Sequence, residues 1–191
     1  MTRSPGVIIN IPNLLTLLRI LITPLFVIFM IKGQYRLSLL IFFMAGVSDG
    51  LDGLFARWFN QKTVLGAHLD PIADKLLLTA AFVALAVQQV IPSWLAVVVI
   101  SRDILIITGI AILRFFHVAF TIRPSMISKC TTAIQLATVF LVLLRFEIAA
   151  VQPLLPPLFW FTTLLTTASG LHYVVLGIAL LNQEQQDKPE Q

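Results

Sequence analysis

Long apolar runs separated by short polar stretches set the pattern of this chain. Six windows are almost wholly apolar, at about 14–32, 36–57, 71–91, 93–114, 128–148 and 157–181. A helix needs roughly 20 such residues to cross the hydrocarbon of a bilayer. The runs are too long and continuous for the alternating strands of a membrane barrel. A helix also satisfies its backbone amides within its own segment, which lipid demands. The pattern therefore predicts an all-α, polytopic membrane protein built as a six-transmembrane-helix bundle. Gly33-Gln34-Tyr35 and the stretch from Gln88 to Ser93 are short enough to join antiparallel neighbours. No repeat and no second domain is visible. Residues 1–181 read as one membrane domain, and 182–191 as a polar, charged tail expected to be disordered.

Composition agrees with this reading. Hydrophobic residues make up 58% of the chain and charged residues 12%, whereas a soluble globule is nearer half apolar and a quarter charged. The net charge of +4 does not point to nucleic acid, because the basic residues are scattered between apolar runs. They bear on topology instead. With the N-terminus inside, the inner side receives Arg3, Arg57, Lys62, Arg114, Arg123, Lys129 and Lys188, and the outer side Lys32, Arg36 and Arg145. The positive-inside rule then places both termini and the loop between the second and third runs in the cytoplasm, and a location in the cytoplasmic membrane is expected. The single cysteine, Cys130, excludes an internal disulfide framework. The N-terminal stretch runs into apolar sequence without a small-residue cleavage site, so no removed signal peptide is expected.

Acid is concentrated at one place. Of nine acidic residues, Asp49, Asp52, Asp70 and Asp74 stand between the second and third apolar runs, and three others lie in the last eight positions. Residues three or four apart share a helix face, so Asp49 pairs with Asp52 and Asp70 with Asp74. Two adjacent antiparallel helices would bring both pairs to one membrane face. Four carboxylates that close need cations to remain ionised, and oxygen-only ligands favour Mg²⁺, Mn²⁺ or Ca²⁺ over zinc. Such ions commonly join carboxylates to substrate phosphate oxygens. Acids at a helix start also favour the macrodipole. That explanation covers Asp70 and Asp74 but not Asp49, which follows the apolar M-A-G-V-S.

The residues between suit a phosphate-bearing ligand. Gly50, Gly53 and Gly66 remove side chains where a ligand can approach backbone, or, for Gly50 above all, serve close helix packing. Arg57 lies one turn beyond Gly53, where a guanidinium can grip phosphate oxygens or simply anchor the helix to the inner surface. Lys62 reads as a solvated or headgroup-facing charge, Lys75 is ambiguous, and His68 reads as a bystander. Near the first span, Pro12 fits a helix start and Asn13 a cap. Arg19, two turns into that span, reads either as a snorkelling side chain or as a structural one.

At these residues the chain resembles the CDP-alcohol phosphatidyltransferases. Their pattern D-x2-D-G-x2-A-R-x8-G-x3-D-x3-D is met by Asp49, Asp52, Gly53, Ala56, Arg57, Gly66, Asp70 and Asp74. The resemblance implies transfer of a phosphatidyl-type group from a CDP-linked lipid, CDP-diacylglycerol, to an alcohol, with release of CMP. It implies that the four aspartates bind two divalent ions, Mg²⁺ or Mn²⁺, and that Asp74 also activates the acceptor hydroxyl as base. It places Gly53, Ala56, Arg57 and Gly66 at the CDP-lipid, with Thr63 as a further contact. The N-x-x-T element of the first span appears as Asn13 and Thr16. A homodimer in the lipid bilayer is implied as well.

The acceptor is less legible. Arg102 and Asp103 stand inside an otherwise apolar run and point about 100° apart on a helix, so they need not pair. Arg102 reads either as a contact for an acceptor phosphate or as half of an internal ion pair. Arg123 and Lys129 suit an anionic acceptor or merely follow the positive-inside rule, and Arg114 is a weaker candidate. The S-R-D element, the S-K-x-x-T-A-x-Q stretch and T-T-A-S-G-L-H-Y look most like the glycerol-type branch of the family. That branch takes glycerol 3-phosphate or phosphatidylglycerol, and a basic pocket favours the dianionic glycerol 3-phosphate. His172 and Tyr173 read as packing or interface residues. Two other classes use intramembrane acids, the prenyltransferases and the cation transporters. The former need two well-separated aspartate motifs, and the latter acids spread through the bilayer.

Overall fold

The structure, a computed structural model, describes residues 11–58, 64–115 and 125–186, with side chains at 17–48, 73–113, 115 and 125–180. Six α-helices fill it: α1 Ile11–Ile31, α2 Tyr35–Trp58, α3 Val64–Val87, α4 Ser93–Phe115, α5 Met126–Leu144 and α6 Leu155–Gln186. A 3-10 turn, Ala149–Leu154, leads into α6. No strand occurs among the described residues, so the all-α expectation holds. Ser93–Leu113, Met126–Leu144 and Ala149–Leu180 are long and apolar enough to cross a membrane, and Leu17–Ile31 and Tyr35–Ser48 are shorter apolar stretches.

The helix boundaries depart from the apolar windows in informative ways. α1 begins at Ile11, so Pro12 falls in its first turn, where its missing N–H costs nothing. Asn13 lies within this helical range, and its side chain lies outside the described ones. α3 begins at Val64, not near residue 71, and carries no acid in its first turn. Gly66, His68 and Asp70 depress the hydropathy there without breaking the backbone helix. α6 runs on to Gln186, into the stretch expected to be a disordered tail. Glu and Gln are good helix formers, and nothing there stops propagation. Residues 187–191 of that tail lie outside the described residues.

The turn after α1 is a Schellman closure. Gln34 N–H donates to Phe29 C=O at 2.9 Å and Gly33 N–H to Met30 C=O at 3.0 Å. Gly33 takes φ +70°, a left-handed conformation that costs a glycine little. Gln88 Nε2 adds a donor to Ile31 C=O at 3.4 Å.

The helices pack as two compact units, residues 1–88 and 89–191. In the first, α1 packs along both α2 and α3. Phe26 and Met30 of α1 meet a core of Phe42 and Ala45 from α2 and Ala73, Leu77, Ala81, Phe82 and Leu85 from α3, all buried. The rings of Phe26 and Phe42 lie 6.0 Å apart.

In the second unit, α6 packs along both α4 and α5. Its α5–α6 seam is polar. Thr131, Gln135 and Thr138 of α5 and Thr162, Thr166 and Ser169 of α6 are buried, each set spaced three or four apart to share a face. The hydroxyls of Thr138 and Thr162 are 2.8 Å apart. Gln135 Nε2 donates to Thr166 Oγ1 at 3.1 Å, and Thr131 Oγ1 to Leu165 C=O at 3.2 Å. In lipid, apolar surface gives helices little reason to associate, so small polar residues supply the contact. Thr138→Val, which keeps shape and removes the bond, is expected to lower stability by about 0.6 kcal/mol, readable as an earlier midpoint in detergent unfolding.

Candidate active site

The acidic segment spans two helices of the first unit. Asp49 and Asp52 lie on α2 and Asp70 and Asp74 on α3, each pair within one helical turn. Only residues 59–63 separate the two helices, so the end of α2 and the beginning of α3 stay within chain reach of about 23 Å. α1 packs against both helices. The position of Asp70 and Asp74 answers the dipole explanation. They are the seventh and eleventh residues of α3, and the dipole effect fades within the first turn.

Asp74 has a described side chain, and Arg19 is a partner among the described side chains. The guanidinium Nη1 of Arg19 donates to Asp74 Oδ1. Arg19 is 3% exposed and Asp74 42%, so the pair turns its carboxylate outward and its cation inward. Arg19 does not snorkel. One turn further on, Thr23 Oγ1 donates to Arg19 C=O at 2.9 Å. It does so beside Pro24, which has no N–H for the ladder. Sequence reading did not place Arg19 at the site. A cation inside an apolar window was the available signal.

The side chains of Asp49, Asp52, Asp70, Arg57, Asn13 and Thr16 lie outside the described ones, and Thr63 and Arg123 outside the described residues. Backbone placement puts Gly53, Ala56 and Arg57 in the last two turns of α2, Gly66 in the first turn of α3, and Asn13 and Thr16 one turn apart on α1. Among the described side chains no three His, Cys, Asp or Glu residues gather. The donor chemistry still suits a hard divalent cation. Two carboxylate pairs on helices that share α1 offer oxygen ligands alone.

A second polar centre lies in the other unit. Arg102 of α4 is 6% exposed. Its Nη1 donates to Asp103 Oδ1 at 2.8 Å, and its Nη2 to Ser128 Oγ at 2.8 Å and Ser169 Oγ at 2.7 Å. The adjacent residues therefore do pair. Tyr173 places its ring 6.0 Å from the guanidinium carbon and accepts from the backbone N–H of Ser125 at 3.5 Å. Ser125 caps α5 by accepting from Ser128 N–H at 3.2 Å. Tyr173 thus ties the entry of α5 to the arginine and is more than a packing residue. His172 beside it is exposed. Arg102 Nε is buried without a hydrogen-bond partner among the described residues, a group whose desolvation is uncompensated. Lys129 is exposed on the first turns of α5.

Comparison with known proteins fits this arrangement. The profile of the family described as CDP-alcohol phosphatidyltransferase matches residues 9–181. A probable CMP-forming cardiolipin synthase of Drosophila melanogaster is 32% identical over 88% of this chain and 58% of its own length. The human CMP-forming cardiolipin synthase is 33% identical over 88% of this chain and 62% of its own. A CDP-diacylglycerol–glycerol-3-phosphate 3-phosphatidyltransferase of Bacillus subtilis is 31% identical over 86% of this chain and 93% of its own. The chain thus spans about three fifths of the length of those two cardiolipin synthases.

Proposed function

Because the chain belongs to the CDP-alcohol phosphatidyltransferase family, we propose that it transfers the phosphatidyl group of CDP-diacylglycerol to glycerol 3-phosphate and releases CMP. The observation that carries this reading is the full aspartate pattern, Asp49 to Asp74, set on α2 and α3 well inside both helices. In the reaction, an acceptor hydroxyl oxygen attacks the phosphatidyl phosphorus. The new P–O bond forms as the bond to the CMP oxygen breaks, and the hydroxyl proton passes to Asp74. An alcohol is a poor nucleophile, so this proton transfer must accompany attack.

Asp49, Asp52, Asp70 and Asp74 would hold two divalent ions, Mg²⁺ or Mn²⁺. When bound, such ions neutralise the diphosphate and the departing CMP. Asn13, Thr16, Gly53, Ala56, Arg57, Thr63 and Gly66 would line the CDP-lipid. Arg102, Arg123 and Lys129 would receive the acceptor phosphate, and the buried Nε of Arg102 supports its part in this. Six membrane crossings, cytoplasmic termini, carboxylates facing the cytoplasm and a homodimer complete the reading.

Glycerol 3-phosphate is favoured by the match to nearly all of the Bacillus subtilis transferase. The cardiolipin synthases, matched at similar identity, support a second reading in which phosphatidylglycerol is the acceptor. Purified protein with CDP-diacylglycerol, Mg²⁺ and radiolabelled glycerol 3-phosphate separates the two. CMP release that depends on glycerol 3-phosphate, with label entering lipid, is expected. Release that depends on phosphatidylglycerol instead would move the assignment to cardiolipin synthesis. Absence of release with either acceptor would overturn both.

A further inference from the structure

We infer that Arg19 is a positioning residue for the reaction: from α1 it holds the Asp74 carboxylate in the orientation that proton transfer needs. This rests on the functional reading above. An arginine in an apolar helix has three ordinary explanations, and two fail here. Snorkelling requires an exposed head, and Arg19 is 3% exposed. Net stabilisation is a poor account as well, because burying the guanidinium consumes much of what its attraction to a half-exposed carboxylate returns. Position remains. Arg19 belongs to the stripe of α1 that also buries Phe26 and Met30, seven and eleven residues on, so its stem is packed among helices. Among the acids with described side chains, it contacts Asp74.

The consequence follows from the torsional freedom of aspartate. Its χ2 is broad and roughly two-fold, so an unsupported carboxylate turns readily about its own axis. A guanidinium is planar, permanently charged and rigid once its stem is buried, and a charge-assisted bond to Oδ1 restrains that rotation. Two carboxylate oxygens carry about four acceptor directions, so the group retains capacity toward a ligand. The outward-facing side of Asp74 is therefore presented in one orientation. Misplacing a reacting group by about 1 Å can cost about 10²-fold in rate with little effect on binding.

The test compares Arg19→Gln and Arg19→Lys with the wild-type protein in detergent. The assay is CMP release, with CDP-diacylglycerol varied at saturating acceptor and Mg²⁺. Arg19→Gln is expected to lower kcat about 10²-fold while KM for CDP-diacylglycerol changes by less than about threefold. Arg19→Lys keeps the charge but not the planar fork, and is expected to recover part of the loss. Thermal stabilisation of each variant by CDP-diacylglycerol should equal that of wild type, which separates positioning from loss of fold or of donor binding. Wild-type kcat in Arg19→Gln would overturn the inference, as would a loss that follows KM or the unfolded fraction. Should Arg19→Gln not fold, Arg19→Lys carries the test, and wild-type kcat there would also overturn it. An active wild type with active variants sinks this inference alone, whereas an inactive wild type sinks the functional reading and this with it.

Discussion

Asp74→Asn is expected to lower CMP release by about 10³-fold or more, in a protein that purifies folded and still gains thermal stability from CDP-diacylglycerol. Asparagine keeps the size of the side chain but has no oxygen basic enough to take the acceptor's proton, and such proton transfer is worth about 10²–10⁴-fold. Loss of a ligand to the proposed cations adds to this. The substitution also takes the negative charge from the buried Arg19, but the asparagine Oδ1 can still accept from that guanidinium, so the loss of stability is expected to stay small beside the loss of turnover. Near-normal turnover in this variant would remove Asp74 as the base. Measuring turnover and melting temperature on one preparation keeps the chemical effect apart from the structural one.

Arg102→Met is expected to act mainly on the fold. It removes the guanidinium from the buried Asp103 and from the hydroxyls of Ser128 and Ser169, joining α4 to α5 and α6. Taking one partner from a buried charged network costs about 3 kcal/mol, and Met retains much of the apolar volume. An earlier midpoint in detergent unfolding is the readout. Arg102→Met combined with Asp103→Leu should recover most of the loss, since the pair rather than either residue carries the cost. A single variant as stable as wild type would contradict a structural part for this centre beside its proposed acceptor contact.

The two centres were unequally legible in the sequence. The carboxylates could be read because their meaning lies in local spacing: three residues apart on α2 and four apart on α3 are fixed by helix geometry alone. The helices could be read because hydrocarbon imposes its length on each apolar run. Arg19 is different. Its partner lies 55 positions away, and no pattern along α1 says which helix α1 will face. The same holds for Arg102 and Ser169, 67 positions apart, and for Tyr173, whose contact with Ser125 depends on how α5 and α6 are aligned. The start of α3 at Val64 departs from the apolar window for another reason. Hydropathy falls at Gly66, His68 and Asp70, yet the hydrogen-bonded backbone continues through them. That shift bears on function, since it moves Asp70 and Asp74 away from the helix end and removes the dipole as their explanation.

The central proposal is that the four acids carried by α2 and α3 share divalent cations beside a CDP-lipid. Electron paramagnetic resonance of Mn²⁺ in the presence of CDP tests it most directly, because it reports the ion without requiring turnover. Mn²⁺ bound by the wild-type protein, and bound more weakly after Asp49→Asn, Asp52→Asn, Asp70→Asn or Asp74→Asn, is the expected result. Binding unchanged in these variants would contradict a shared carboxylate site.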